Sequence, residues 1–302
     1  MATSKVLVTG GAGFIGSNLV DKLLAEGHQV VVVDDLSGGS RERVNPQAEF
    51  HQVSIVDFEQ LRPLFTGIDY VFHLAALPRV PFSIEYPRET NEVNVTGTVN
   101  VLLAAKEAGV SKVIYSASSS AYGDQDSLPL VETMPAKPKS PYGLQKYIGE
   151  MYCRVFSEVY QLPTVCLRYF NVYGPRQNEA GAYALVIAKF LKQKRAGQPL
   201  TITGDGSQTR DFTSVHDVVR ANLLAMQSDC VRGEVFNIGA GRNFSVKQVA
   251  ELIGGEIEYL PARLEPHDTL ADNSLARTKL AWQPQVKLED GIAELKSLEA
   301  KL

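Results

Sequence analysis

The chain has 302 residues, 44% of them apolar and 21% charged, which is enough material for one large core and a smaller appended one. A formal net charge of −4 with scattered Lys and Arg gives no basic footprint for nucleic acid or an anionic membrane surface. Cys153, Cys166 and Cys230 are widely spaced in apolar segments and read as reduced thiols; His28, His51, His73, His216 and His267 stand singly without metal-ligand spacing; no signal segment or membrane-length apolar run is visible, so a cytoplasmic protein without a metal site is expected.

The first element is an apolar run, Lys5 to Thr9, that passes directly into GGAGFIGSNLVDKLLAEG. Gly10, Gly13 and Gly16 fall between that strand and a helix whose apolar positions include Ile15, Leu19, Leu23 and Leu24. Glycines at this point let backbone N–H groups approach a pyrophosphate, and the last lets the helix pack closely on the sheet. A second buried strand, QVVVV at 29–33, ends in Asp34, eighteen residues past Gly16, placed to accept from the ribose hydroxyls of an adenosine. A carboxylate there repels a 2′-phosphate and so favours NAD; Arg41 and Arg43 are read as solvated loop residues.

A third run, DYVFHLAA at 69–76, closes on Ala75 and Ala76, small enough for close approach of a cofactor. Asn94 precedes a helix from Gly97 to a glycine stop at Gly109. The strand Val113–Tyr115 follows, leading to Ser118 at its carboxyl end, where ligands meet open α/β sheets. Ser140 and Pro141 then mark a helix start, with Tyr142 and Lys146 four apart on one face. Such a pair alone is usually incidental, but beside a fixed ammonium a phenol is expected to ionise more readily than its ordinary pKa of about 10 allows. Leu144, Ile148, Met151 and Val155 form one apolar stripe of this helix, with Tyr152, Phe156 and Val159 on an adjoining one. That arc is wider than one sheet face needs, and a second copy of the chain is the simplest cover, so a homodimer is expected.

The alternation of strands and helices predicts an α/β fold: a doubly wound parallel (Rossmann) sheet over residues 1–176 with 209–242 returning to it. A smaller C-terminal α/β lobe from 177–208 and 243–302 is expected to bind the substrate.

The chain resembles an extended short-chain dehydrogenase/reductase of the nucleotide-sugar epimerase/dehydratase family, and is most similar to its UDP-hexose 4-epimerases. The likeness rests on the glycine fingerprint, Asp34, HLAA at 73–76, NVTGT at 94–98, the serine cluster at 118–120 with YGLQK at 142–146, LRYFNVYGPR at 167–176, GDGSQTRDF at 204–212, VFNIGAG at 235–241 and TLAD at 269–272. It implies Tyr142 as base, Lys146 as its modulator and nicotinamide-ribose anchor, and Ser118 as the third catalytic member. It also implies NAD contacts from Phe14, Ile15, Ser54, Ile55, Leu74, Ala75, Ala76 and Asn94. Asn171 and Arg210 match positions holding the nucleotide diphosphate; Ala182, Tyr183 and Val186 lie near the nucleotide; Ser119, Arg263 and Glu265 face the substrate. Ser119 and Ser120 stand where related 4,6-dehydratases carry an Asp-Glu pair, which disfavours elimination of water. Thr269 matches the residue that contacts the sugar's 2-substituent and is small enough for an N-acetyl group. The reading is C4 epimerisation of UDP-Glc/UDP-Gal and of UDP-GlcNAc/UDP-GalNAc. Rival readings are a UDP-glucuronate 4-epimerase, with Arg79 or Arg88 near the carboxylate, and a non-catalytic NAD-binding regulator.

Overall fold

The computed structural model describes residues 3–177, 185–261 and 268–299. Six strands, β1 (Lys5–Thr9), β2 (Gln29–Val33), β3 (Glu49–His51), β4 (Tyr70–His73), β5 (Lys112–Ser118) and β6 (Thr164–Tyr169), pair with a late strand, Arg232–Ile238. The spatial order is Arg232–Ile238, β6, β5, β4, β1, β2, β3, and every pairing is parallel. The order reverses beside β1, which separates β2 from β4, and this opens a crevice at the carboxyl ends of β1 and β4.

The strands are near-continuous apolar runs because both faces are covered. Val6, Val8, Val30, Val32, Phe72, Ile114, Val165 and Leu167 point to one core, shared with the helices Phe14–Ala25 and Val215–Gln227. The alternate residues Leu7, Val31, Val33, Val71, Val113 and Tyr115 point to the other, under the helices Gly97–Glu107 and Pro141–Tyr160. The two-residue period thus sorts side chains between two separate cores. The strand read at Val113–Tyr115 runs on to Ser118, because Ser116 to Ser118 continue the pairing with β6.

A third core holds Tyr173, Ile187, Phe190, Leu200, Ile202, Val249, Ile253, Ile292 and Leu295. Its strands Leu200–Thr203 and Ile257–Leu260 pair in parallel, and its helix Val246–Ile253 starts in a capping box in which Ser245 and Gln248 satisfy each other's backbone N–H groups. Late residues do not all belong there: Ala276, Leu280 and Trp282 pack into the first sheet core, and the Trp282 indole donates to Asp217 O at 2.9 Å.

One buried ion pair joins the sheet to the Pro141–Tyr160 helix. Arg168 on β6 donates through Nε to Glu150 Oε1 at 2.8 Å and through Nη2 to Oε2 at 2.7 Å, with the two side chains 4% and 0% exposed. The guanidinium also lies 4.5 Å above the Tyr122 ring. Removing one partner strands the other charge in the interior, whereas replacing both by apolar groups does not. Arg168→Met is therefore expected to lower unfolding stability by about 3–5 kcal/mol, with most of that recovered in the Arg168→Met/Glu150→Leu double variant. Urea unfolding of the three proteins measures it.

Candidate active site

The glycine loop forms the floor of the crevice. Gly10 has φ of +73°, and a Cβ there would come 2.7 Å from Ala75 N, so the loops after β1 and β4 touch through bare backbone. A Cβ on Gly16 would come 2.1 Å from Gly10 O, which is why the helix can press against the loop. Gly13 caps the Phe14–Ala25 helix without any side-chain hydrogen bond. The first-turn amides therefore face the crevice with no partner among the described residues, and this cradle fits a diphosphate. Asp34 accepts from Ala12 N at 3.0 Å and from Leu36 N at 2.8 Å, and so clamps the glycine loop to the end of β2. Burial raises its pKa, with those two amides opposing. Arg41 is exposed, as read, but its guanidinium stacks 4.5 Å from the Phe50 ring centre rather than standing free in solvent.

His73, taken as an isolated histidine in the sequence, proves to be the hinge between these loops. Thr98 Oγ1 spends its proton on Asn94 O at 2.7 Å, so it accepts from His73 Nε2 at 2.9 Å. The neutral ring then accepts at Nδ1 from Thr9 Oγ1 at 2.8 Å, leaving that hydroxyl to accept from Ala75 N at 3.2 Å. Burial first, and the Lys146 charge second, drive the His73 pKa down to about 3.

Asn94 sits in a π-helical turn, Glu92–Thr96, which the sequence pattern does not reveal. Its amide clasps Leu77 at both N (2.8 Å) and O (3.1 Å) and donates to Gln145 Oε1 at 2.8 Å. Gln145, on the helix that carries Tyr142, donates onward to Thr90 Oγ1 at 3.0 Å. Leu74 N closes the ladder to Thr9 O at 3.1 Å. Among the described residues Ser54 Oγ makes one long contact, accepting from Val56 N at 3.4 Å, while the Ile55 side chain is buried against Gly97.

Ser118, Tyr142 and Lys146, the trio named by the resemblance, lie around the carboxyl end of β5. Ser118 caps the short Ser119–Ala121 turn, accepting from Ser120 N at 3.2 Å, and hydrogen-bonds with Tyr142. The simple Tyr–Lys pairing read from spacing needs correction. Lys146 Nζ donates to Ser116 O at 2.8 Å and lies 4.9 Å from the Tyr115 ring centre. Burial pushes the Tyr142 phenol up to about 12, and the force opposing it is the Ser118 hydrogen bond rather than the ammonium. Burial likewise brings Lys146 down to about 8.

On the lobe side, three residues distant in sequence converge. Asn171 Nδ2 donates to Thr269 Oγ1 at 3.3 Å and to Asp211 O at 3.2 Å, and Thr269 Oγ1 also accepts from Asp211 N at 3.3 Å. Arg210 is fixed by its own strand, Thr209–Asp211, with Nη1 donating to Thr209 O at 2.9 Å. The side chain of Asp211 is spent on the amides of Ala240 (2.7 Å), Gly241 (3.0 Å) and Ala271 (3.0 Å); burial still holds its pKa at about 6. Asp211 thereby ties the TLAD segment to the sheet, a role its sequence position does not announce. Val186 begins the Val186–Arg195 helix with its side chain against the third core. Arg263, Glu265, Ala182 and Tyr183 lie outside the described residues.

The profile described as the NAD dependent epimerase/dehydratase family matches residues 6–239. UDP-glucose 4-epimerase of Mycolicibacterium smegmatis is 41% identical over 309 aligned positions, covering 96% of both chains. The crystal structure of Thermotoga maritima UDP-glucose 4-epimerase with UDP-glucose superposes with a TM-score of 0.95 at 42% identity, covering 98% of this chain and 99% of that one. A UDP-N-acetylglucosamine 4-epimerase from Methanobrevibacter ruminantium, in complex with UDP-N-acetylmuramic acid, gives 0.95 at 36% identity over the whole of both chains. The chain belongs to the NAD dependent epimerase/dehydratase family. Within it, the chain stands with the UDP-sugar 4-epimerases, as an NAD-dependent isomerase.

Because folding holds His73 neutral while an unfolded histidine protonates near 6.5, the unfolded state binds the extra proton between about pH 6.5 and 3. Stability is expected to fall through that window as pH falls, by up to about 1.4 kcal/mol per pH unit from this residue. Urea unfolding from pH 7 to pH 4 should show a shallower pH slope in His73→Asn than in the parent chain.

Proposed function

We propose that the protein interconverts C4 epimers of UDP-hexoses, UDP-Glc with UDP-Gal and UDP-GlcNAc with UDP-GalNAc, using Tyr142 as the base. The observation that carries this reading is the meeting of Ser118, Tyr142 and Lys146 at the end of β5, one strand away from the Gly10–Ala75 cradle. NAD held on that cradle supplies a reversible hydride acceptor for C4. The chain's residues manage the proton and the geometry. Tyr142 takes the C4 hydroxyl proton and returns it after the 4-keto sugar has presented its other face. Ser118 hydrogen-bonds the same oxygen, and its contact with Tyr142 already favours the phenolate. Lys146, fixed on Ser116 O, supplies positive charge in the same pocket. Ser119 and Ser120 offer no acid-base pair for dehydration, so the keto sugar is returned to an alcohol.

The substrate reading rests on Thr269. Its hydroxyl is engaged by Asn171 and Asp211, so a compact side chain of fixed orientation borders the place assigned to the sugar's 2-substituent. Arg210 is assigned to the diphosphate, where a guanidinium forms paired hydrogen bonds with phosphate oxygens. We also propose a homodimer through the Pro141–Tyr160 helix, whose Leu144, Val155 and Val159 remain 47%, 45% and 64% exposed. The buried thiols Cys153 and Cys166 suit a reducing cytoplasm.

The test is incubation of the purified protein, without added reductant, with UDP-Glc, UDP-GlcNAc and UDP-glucuronate separately. UDP-Gal and UDP-GalNAc are expected; conversion of UDP-glucuronate alone overturns the substrate choice, and no C4 epimer from any donor overturns the function. Tyr142→Phe is expected to cut kcat by about 10³-fold. Thr269→Tyr is expected to abolish turnover of UDP-GlcNAc while UDP-Glc is still converted, read by chromatography of the products.

A further inference from the structure

The first turn of the Pro141–Tyr160 helix has an unusual division of its backbone donors. Pro141 has none, Gly143 N donates to Ser140 Oγ at 3.1 Å, and Leu144 N reaches Ser140 O at 3.0 Å. Tyr142 N is left to a group from another helix: it donates to Ser83 Oγ at 3.1 Å. Ser83 is completely buried, and its own hydroxyl proton is fixed on Val80 O at 2.7 Å, so its lone pairs face Tyr142.

We propose that Ser83 is a positioning residue for the reaction, a cap supplied from outside the helix that fixes the backbone of Tyr142 against the segment following β4. The proposal rests on reading Tyr142 as the base. Ser83 lies in the helix Val80–Glu85, a few residues after the HLAA loop whose Ala75 meets Gly10. The same segment is gripped at its other end, where Leu77 is held by Asn94, and Asn94 by Gln145 one residue before Lys146. Two clasps, Ser83 on Tyr142 and Asn94 on Gln145, thus join the helix bearing the base to the loop that lines the cofactor cradle. Their joint effect is to set the phenol's distance from the nicotinamide side of the crevice, which is a requirement of the transition state rather than of binding. A Ser serving only as a small packed residue would carry no such coupling.

The experiment compares Ser83→Ala, Ser83→Thr and Ser83→Cys in full-length protein saturated with NAD. Ser83→Ala removes one oxygen and takes from the Tyr142 amide its acceptor in Ser83. Its kcat for the UDP-hexose is expected to fall 10–100-fold with KM unchanged within about twofold. Amide hydrogen exchange at Tyr142 is expected to accelerate at least tenfold, while Leu144, bonded within its own helix, keeps its protection. Ser83→Thr, which retains the hydroxyl, should restore both readouts, and Ser83→Cys, a weak acceptor, should fall between. An unchanged kcat in Ser83→Ala, an unchanged Tyr142 exchange rate, or equal loss in the Ala and Thr variants would overturn the proposal. Tyr142→Phe run alongside separates the two questions: full activity in that variant removes the base assignment, while the exchange data still decide whether Ser83 holds the amide.

Discussion

His73 stands where β4 ends, and both its ring nitrogens are engaged by hydroxyls from neighbouring elements, Thr9 at the end of β1 and Thr98 in the Gly97–Glu107 helix. That chain of directed hydrogen bonds runs from Ala75 N to Asn94 O, and it holds only while the ring is neutral. Each functional loop is attached to it. Through Thr9 it orders the approach of Ala75 to Gly10, and through Thr98 it orders the π-turn that presents Asn94 to Leu77 and Gln145. A charged imidazole would need to donate at both nitrogens, and Thr9 would lose either its partner or its bond to Ala75. The Lys146 ammonium is part of why the ring stays uncharged, so a charge on the neighbouring helix also helps secure this scaffold.

Around that fixed line the chemistry is a matter of burial. Tyr142 and Lys146 are each displaced toward their uncharged forms by the same low-dielectric surroundings. For the Tyr142 phenol, Ser118 is the local group that opposes this upward push. The buried Glu150–Arg168 pair lies one helical turn beyond Lys146, and the negative member favours the charged lysine. Polar groups in this layer are therefore mutually dependent, in contrast to the apolar cores on either side of the sheet.

The strand runs, the glycine loop, Asp34 and the start of the Pro141–Tyr160 helix were legible in the sequence because each follows from a local period or a residue with one conformational use. For Ser118, Tyr142, Asn171 and Thr269 the sequence offers motif resemblance, which carries position but not orientation. What escaped has a physical reason. His73, Ser83, Gln145 and Asp211 act through bonds spanning tens of residues, and a buried polar residue in an apolar run looks the same whether it is a spacer or a clasp. The π-turn at Glu92–Thr96 keeps a helical composition, so no period marks it. The placing of Trp282 in the sheet core rather than the lobe is set by tertiary packing alone. The direction of Lys146 toward Ser116 was also beyond reach, since spacing of four states which face is shared but not which acceptor wins.

The last strand of the sheet, Arg232–Ile238, is made long after its neighbour β6. Until it emerges from the ribosome, the Thr164–Tyr169 edge, fully buried in the finished protein, stands open to any other extended chain. Most of the third core's residues are synthesised in that interval or after it. The nascent protein thus carries a completed cofactor crevice beside an unprotected edge, and Asn237, which bonds Tyr122, Leu130 and Asp272 at once, is the residue whose arrival seals it. Vulnerability to misassembly is accordingly concentrated in a late stage of synthesis, at the side of the sheet away from the glycine loop.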